Sequence, residues 1–120
     1  MTPKLAALLA ALDDLPDRPP LARLTGLLER SGIGCDDVAD LIRFSDNGYA
    51  KNTVKATPSY HAWVLCWKNG QRSPIHDHRG SCCAVRVLRG TLTQTFFEFA
   101  PNGHVKATGS KDFPVGSVIA

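Results

Sequence analysis

The 120-residue sequence has no apolar run long enough to span a bilayer, which excludes a helical membrane anchor within it. It has no basic run and no interleaving of basic with aromatic residues. With a net charge of only +3, nucleic-acid binding has no support. Its four cysteines, Cys35, Cys66, Cys82 and Cys83, match neither zinc-site spacing nor a small disulfide framework. They are expected to be free thiols, mostly buried. Cys82 and Cys83 are adjacent, so in a strand they point to opposite faces. There is no internal repeat, low-complexity tract or linker. The apolar stretch Leu5 to Leu12 runs into Asp13, Asp14 and Pro16 without a small-residue cleavage site, so it reads as a helix and not a signal peptide. The expected location is cytoplasmic.

What remains is an ordinary globular composition, 43% hydrophobic and 21% charged, in a chain sized for one structural domain. Leu5, Leu8, Leu9 and Leu12 recur at helical spacing behind Thr2 and Pro3, an N-cap and first helical residue. The segment from Asp14 to Pro20 breaks that helix. Leu21, Leu24, Leu27 and Leu28 predict a second, ending near Ser31–Gly32, and Asp36 to Ile42 a short third. From Asn47 the pattern becomes that of strands: Tyr49 to Val54, Tyr60 to Trp67, Ala84 to Leu88, Thr91 to Phe99 and Val105 to Thr108. Asn69–Gly70, Arg89–Gly90 and Pro101–Asn102–Gly103 mark turns between them. Successive strands joined by tight turns predict antiparallel neighbours in a sandwich or barrel. Residues 1–44 are thus expected to form a helical segment packed on a β-barrel that occupies 45–120. Ser117 to Ala120 reads as the opening of a further strand in need of a partner, and the barrel as cut short there.

The segment richest in chemistry contains His76 and His78. On a strand, residues two apart share a face, so both imidazoles can address one metal ion. Neutral imidazole suits iron, copper, nickel and zinc alike. Taken alone, the pair reads equally as surface decoration or as two hydrogen-bonded histidines at a strand start. Asp77, between them, points to the opposite face and is a poor ligand. His61 and His104 read as exposed or hydrogen-bonded, Trp63, Trp67, Phe96, Phe97 and Phe99 as core, and Glu98 as a solvated strand residue.

The joint spacing narrows this. Gly70 stands six residues before His76, Cys83 five after His78, and Gly90 seven after Cys83. This is similar to the first cupin motif. The fuller text Leu65-Cys-Trp67, Gly70, Ser73, Ile75-His-Asp-His78, Cys83 and Leu88-x-Gly90 closely resembles the cysteine dioxygenases, from about Tyr49 to Gly90. The resemblance implies a mainly β, cupin-type jelly-roll barrel, here incomplete, preceded by two or three N-terminal α-helices. It implies a non-haem Fe(II) cofactor held by three histidines, with His76 and His78 as two of them and the third expected beyond Ala120. It also implies the oxidation of L-cysteine by O2 to cysteine sulfinate. Cys83 matches a position that in many members carries a cysteine thioether-linked to a tyrosine, expected here beyond residue 120; apart from the resemblance it reads as a small buried apolar residue. Tyr49 and Lys51 match a Tyr-x-Arg-Asn stretch whose arginine grips the substrate carboxylate. Lysine offers a point charge where arginine offers a planar fork. Tyr49 is expected with Cys83 among the catalytic-site residues, lining the pocket; apart from the resemblance, Tyr49 reads equally as core and Lys51 as a solvated strand lysine. The expected partners are a small thiol and O2, with no nucleic acid and no membrane. The full-length form is expected to be a monomer, and this chain to associate through its open barrel edge. Three alternatives stay open: a 3-mercaptopropionate dioxygenase, a truncated non-catalytic cupin binding module, and another cupin metalloenzyme.

Overall fold

Residues 1–74 and 82–120 are described by a computed structural model of the chain. Helix α1 spans Pro3–Asp13. Thr2 caps it, its hydroxyl oxygen accepting from the Leu5 N–H at 3.3 Å, and Pro3 opens it with a preset φ. Helix α2 spans Leu21–Arg30, and a 3₁₀ segment follows over Cys35–Leu41. The Thr2 hydroxyl also donates to Asp37 Oδ1 at 2.6 Å, and Asp37 Oδ2 accepts from the Gly34 N–H at 2.9 Å. One carboxylate therefore ties the start of α1 to the start of the 3₁₀ segment. These two bonds, the Thr2 hydroxyl foremost, hold the Asp37 carboxyl below the ordinary carboxylate range.

Six strands follow: β1 (Ala50–Ala56), β2 (His61–Cys66), β3 (Val85–Arg86), β4 (Leu92–Phe99), β5 (Val105–Phe113) and β6 (Val118–Ile119). They form three antiparallel pairs, β1–β2, β3–β6 and β4–β5. The chain is mainly β with helices first, as the sequence predicts, but the described strands do not close into a barrel. Two pairs join sequence neighbours through the tight turns at Thr57–Tyr60 and Pro101–Gly103. The third departs from that expectation. β3 does not turn back onto β4 at Arg89–Gly90; β4 and β5 form their own hairpin, and β3 pairs with β6, Val85 opposite Ile119. The predicted terminal strand thus finds its partner in the chain. Val87 extends the pair through bonds with Ser117 and Gly116, and its side chain is buried.

The core lies between the helices and one face of β1–β2. Leu5, Leu9, Ile33 and Val38 are buried, with Leu8, Leu12, Ile42, Val54, Ala62, Val64 and Leu88 packed around them. Burying a leucine of this kind contributes about 2 kcal/mol. A bulge between Thr53 and Lys55 turns Lys55 onto the helix side, opposite Ala62. There its ammonium pairs with Asp13 at the end of α1, at 2.8 Å, and the Tyr60 hydroxyl donates to the same carboxylate at 2.6 Å.

Several side chains expected in the core are not there. Trp63 is 43% exposed, Phe96 45%, Phe97 40% and Phe99 83%. The reason is architectural: β4–β5 is a two-stranded ribbon exposed along nearly its whole length, and Trp63 sits on the β1–β2 face turned away from the helices. The cysteines are all free, as expected, but only Cys66 is buried. Cys35 and Cys83 are half-buried and Cys82 is exposed. Cys35 and Cys82 direct their thiols to the carbonyls of Leu88 and Pro19, each at 3.5 Å.

Candidate functional site

His76, Asp77 and His78 lie outside the described residues. Among the described residues, no three or more His, Cys, Asp or Glu side chains gather into a group able to hold a metal ion. The sequence-predicted ligands His76 and His78 are the histidines left to consider for a metal. The donor chemistry there fits a divalent first-row metal, iron included, since two neutral imidazoles are borderline ligands that leave other positions open.

Lys51 and Thr53 alternate along one side of β1, and their register partners Leu65 and Trp63 share that side; Tyr49, just before β1, stacks on Trp67, just after β2. The opposite side, with Asn52, Val54, Ala62 and Val64, faces the helices. The Asn52 amide donates to the carbonyls of Leu41 at 2.8 Å and Arg43 at 3.0 Å, fixing the run into β1. Tyr49 and Lys51 are thus brought together on the face that does not carry the core.

Tyr49 is half-buried and stacks on Trp67, with ring centroids 5.4 Å apart and planes inclined by 17°. Lys51 is exposed, its Nζ lying 4.2 Å from the centre of the Trp63 ring. It forms no ion pair with an acidic side chain among the described residues. The face therefore presents the Tyr49–Trp67 stack and, beside it, the Lys51 ammonium over the Trp63 ring. The sequence alone predicts Trp63 in the core and gives no sign of its contact with Lys51. The signal was the register, because Trp63 stands diagonally across from Lys51 once Leu65 is opposite it.

Cys83 lies two residues before β3, on a different ribbon from Tyr49 and Lys51. Burial raises its thiol above the ordinary value, which keeps it protonated at neutral pH. His61 opens β2, exposed, with its ring edge-on to Trp63 at 5.3 Å. His104 is exposed after the Asn102–Gly103 turn, and Glu98 is solvated, 3.5 Å from Lys106. All three readings agree with the sequence. No described helix is long and apolar enough to cross a membrane.

Helices followed by antiparallel strands, with a His-x-His segment between the second and third, are the order of parts of a cupin-type protein. A family model, "Cysteine dioxygenase type I", matches residues 23–116. The chain belongs to that family. Among curated proteins it is similar to "Cysteine dioxygenase type 1" of Danio rerio, 31% identical over 74 residues, or 61% of this chain and 37% of that protein. It is also similar to the protein of the same name from Homo sapiens, 36% identical over 56 residues, or 46% of this chain and 28% of the relative. The Rattus norvegicus protein is 34% identical over 58 residues, 48% of this chain and 29% of the relative. The match spans about a third of these relatives' length. No solved structure matches the chain.

Proposed function

We propose that the whole protein is an iron(II)-dependent thiol dioxygenase that converts L-cysteine and O2 into cysteine sulfinate. The observation that carries this reading is the family match over residues 23–116, which contains every candidate site residue: Tyr49, Lys51, His76, His78 and Cys83. His76 and His78 would hold the iron, together with a third histidine from outside this sequence. The bound iron supplies the redox centre at which thiol sulfur and dioxygen are brought together.

The chain's own residues have separable tasks. Lys51 offers a fixed positive charge on the open face of β1–β2, a partner for the substrate carboxylate. Tyr49 and Trp67 wall one end of that face, excluding water beside the carboxylate and sharpening the charge contact. Cys83, protonated at neutral pH, keeps its thiol for the tyrosine crosslink that the resemblance implies.

The test is oxygen uptake by the whole protein, loaded anaerobically with Fe(II), against cysteine, 3-mercaptopropionate and cysteamine. Uptake with cysteine, matched by one sulfinate per O2, is the expected result. Preference for 3-mercaptopropionate replaces cysteine as the substrate. Uptake with no thiol overturns the reading in favour of a binding protein.

A further inference from the structure

The β1–β2 face carries a contact that the family match does not account for. Leu65 lies opposite Lys51 and Trp63 opposite Thr53, so Lys51 and Trp63 are diagonal neighbours on one face. Diagonal positions on an antiparallel ribbon lie about 7–8 Å apart, within reach of a long side chain. The lysine stem spans that gap and sets Nζ 4.2 Å from the ring centre. The indole stays 43% exposed and the ammonium has no acidic partner among the described residues. At 43% exposure part of the ring stays open on this face, and there it meets a cation.

From this geometry we infer that Trp63 is a positioning residue for Lys51, holding the ammonium on the open β1–β2 face as the charge that receives a substrate carboxylate. The inference rests on the proposed function and adds to it the means by which a lysine does this work. An arginine presents a planar fork that needs little further ordering, whereas a lysine carries its charge on a flexible stem that loses rotamer freedom when fixed. Contact with an aromatic face removes that freedom before the ligand arrives. The side of the ammonium away from the ring keeps its N–H donors for one carboxylate oxygen. A cation–π contact at a partly exposed ring changes an equilibrium constant by about 2- to 5-fold, which sets the size of the effect to look for.

The experiment uses isotope-labelled whole protein, kept free of oxygen, as wild type, Trp63→Phe and Trp63→Leu. In the wild type the Lys51 ε-methylene protons should be shifted upfield by the indole ring current; in Trp63→Leu that shift should vanish. Titration with 3-mercaptopropionate should give a dissociation constant about 2- to 5-fold weaker in Trp63→Leu and intermediate in Trp63→Phe. Cysteamine, which has the thiol but no carboxylate, should bind all three forms alike. An unshifted Lys51 signal in the wild type overturns the inference, and needs no variant to fold. So does equal weakening for both thiols, which marks a structural role, and so does a wild type whose Lys51 signals do not respond to 3-mercaptopropionate. A wild type that binds the carboxylate selectively yet consumes no oxygen overturns the proposed reaction and leaves the positioning role standing.

Discussion

A lysine at position 51 puts one compact charge where the resemblance implies a delocalised, two-pronged one. Its worth depends on what it meets. As a solvated strand lysine it would contribute almost nothing to binding; opposite a substrate carboxylate it makes a charge-assisted bond worth about 1.5 kcal/mol or more. Replacing it by Met keeps the stem and removes the charge. Lys51→Met should raise KM for cysteine about 10-fold and leave KM for cysteamine unchanged. Equal KM values for wild type and variant with cysteine would mark Lys51 as surface. Residue spacing made the family legible: Gly70, His76, His78, Cys83 and Gly90 point to the cysteine dioxygenases, whose family model matches residues 23–116. The partner of Lys51 was not legible, because Trp63 looks like any strand aromatic until the register sets it diagonally across the ribbon.

Between elements, short polar clamps hold the helices to the strands. Asp13 at the end of α1 accepts from Lys55 at 2.8 Å and Tyr60 at 2.6 Å, and these bonds, Lys55 foremost, hold its carboxyl below the ordinary value of 3.8. A depressed carboxyl stabilises the fold above its unfolded value, and the contribution drains away as pH falls through the lower folded value. The Lys55 ammonium is raised above 10.5 by the same contact, chiefly its bond to Asp13, so at the alkaline end the contribution is lost as pH rises through that raised value. Asp13→Asn should therefore be less stable than wild type at neutral pH, and the difference should shrink below pH 3.8, as read by urea denaturation. A difference constant with pH would contradict the clamp.

A second clamp joins β3 to α2. The Arg86 guanidinium donates to the carbonyls of Ile33 at 3.0 Å, Leu28 at 3.2 Å and Glu29 at 3.4 Å, occupying the negative end of the α2 dipole. Arg86→Ala should lower stability by about 1–2 kcal/mol and Arg86→Lys by less, measured as a shift in thermal midpoint. No loss in Arg86→Ala would show the contacts to be incidental. Elements were readable where local chemistry decides them: Thr2–Pro3 opens α1, and Pro101–Gly103 turns β4 into β5. The pairing of β3 with β6 was not, because it joins segments some thirty residues apart and nothing local in either names the other.

At the scale of the molecule, one core serves the helices and one face of β1–β2, while the other face of that ribbon and most of β4–β5 stay open. Alternation told which residues share a face, but not that Trp63, Phe96, Phe97 and Phe99 would stand exposed, since a strand aromatic is buried only if a second layer covers it. That open face carries Lys51, proposed to meet the substrate carboxylate, and Trp63, proposed to position it.

Whether His76 and His78 ligate one iron, as proposed, is read from iron affinity. Fe(II) should be titrated anaerobically into the whole protein as wild type, His76→Ala and His78→Ala. The wild type should bind one iron per chain, and each variant should bind it at least 10-fold more weakly, because removing one imidazole opens the coordination set. Affinity unchanged in either variant would contradict the site.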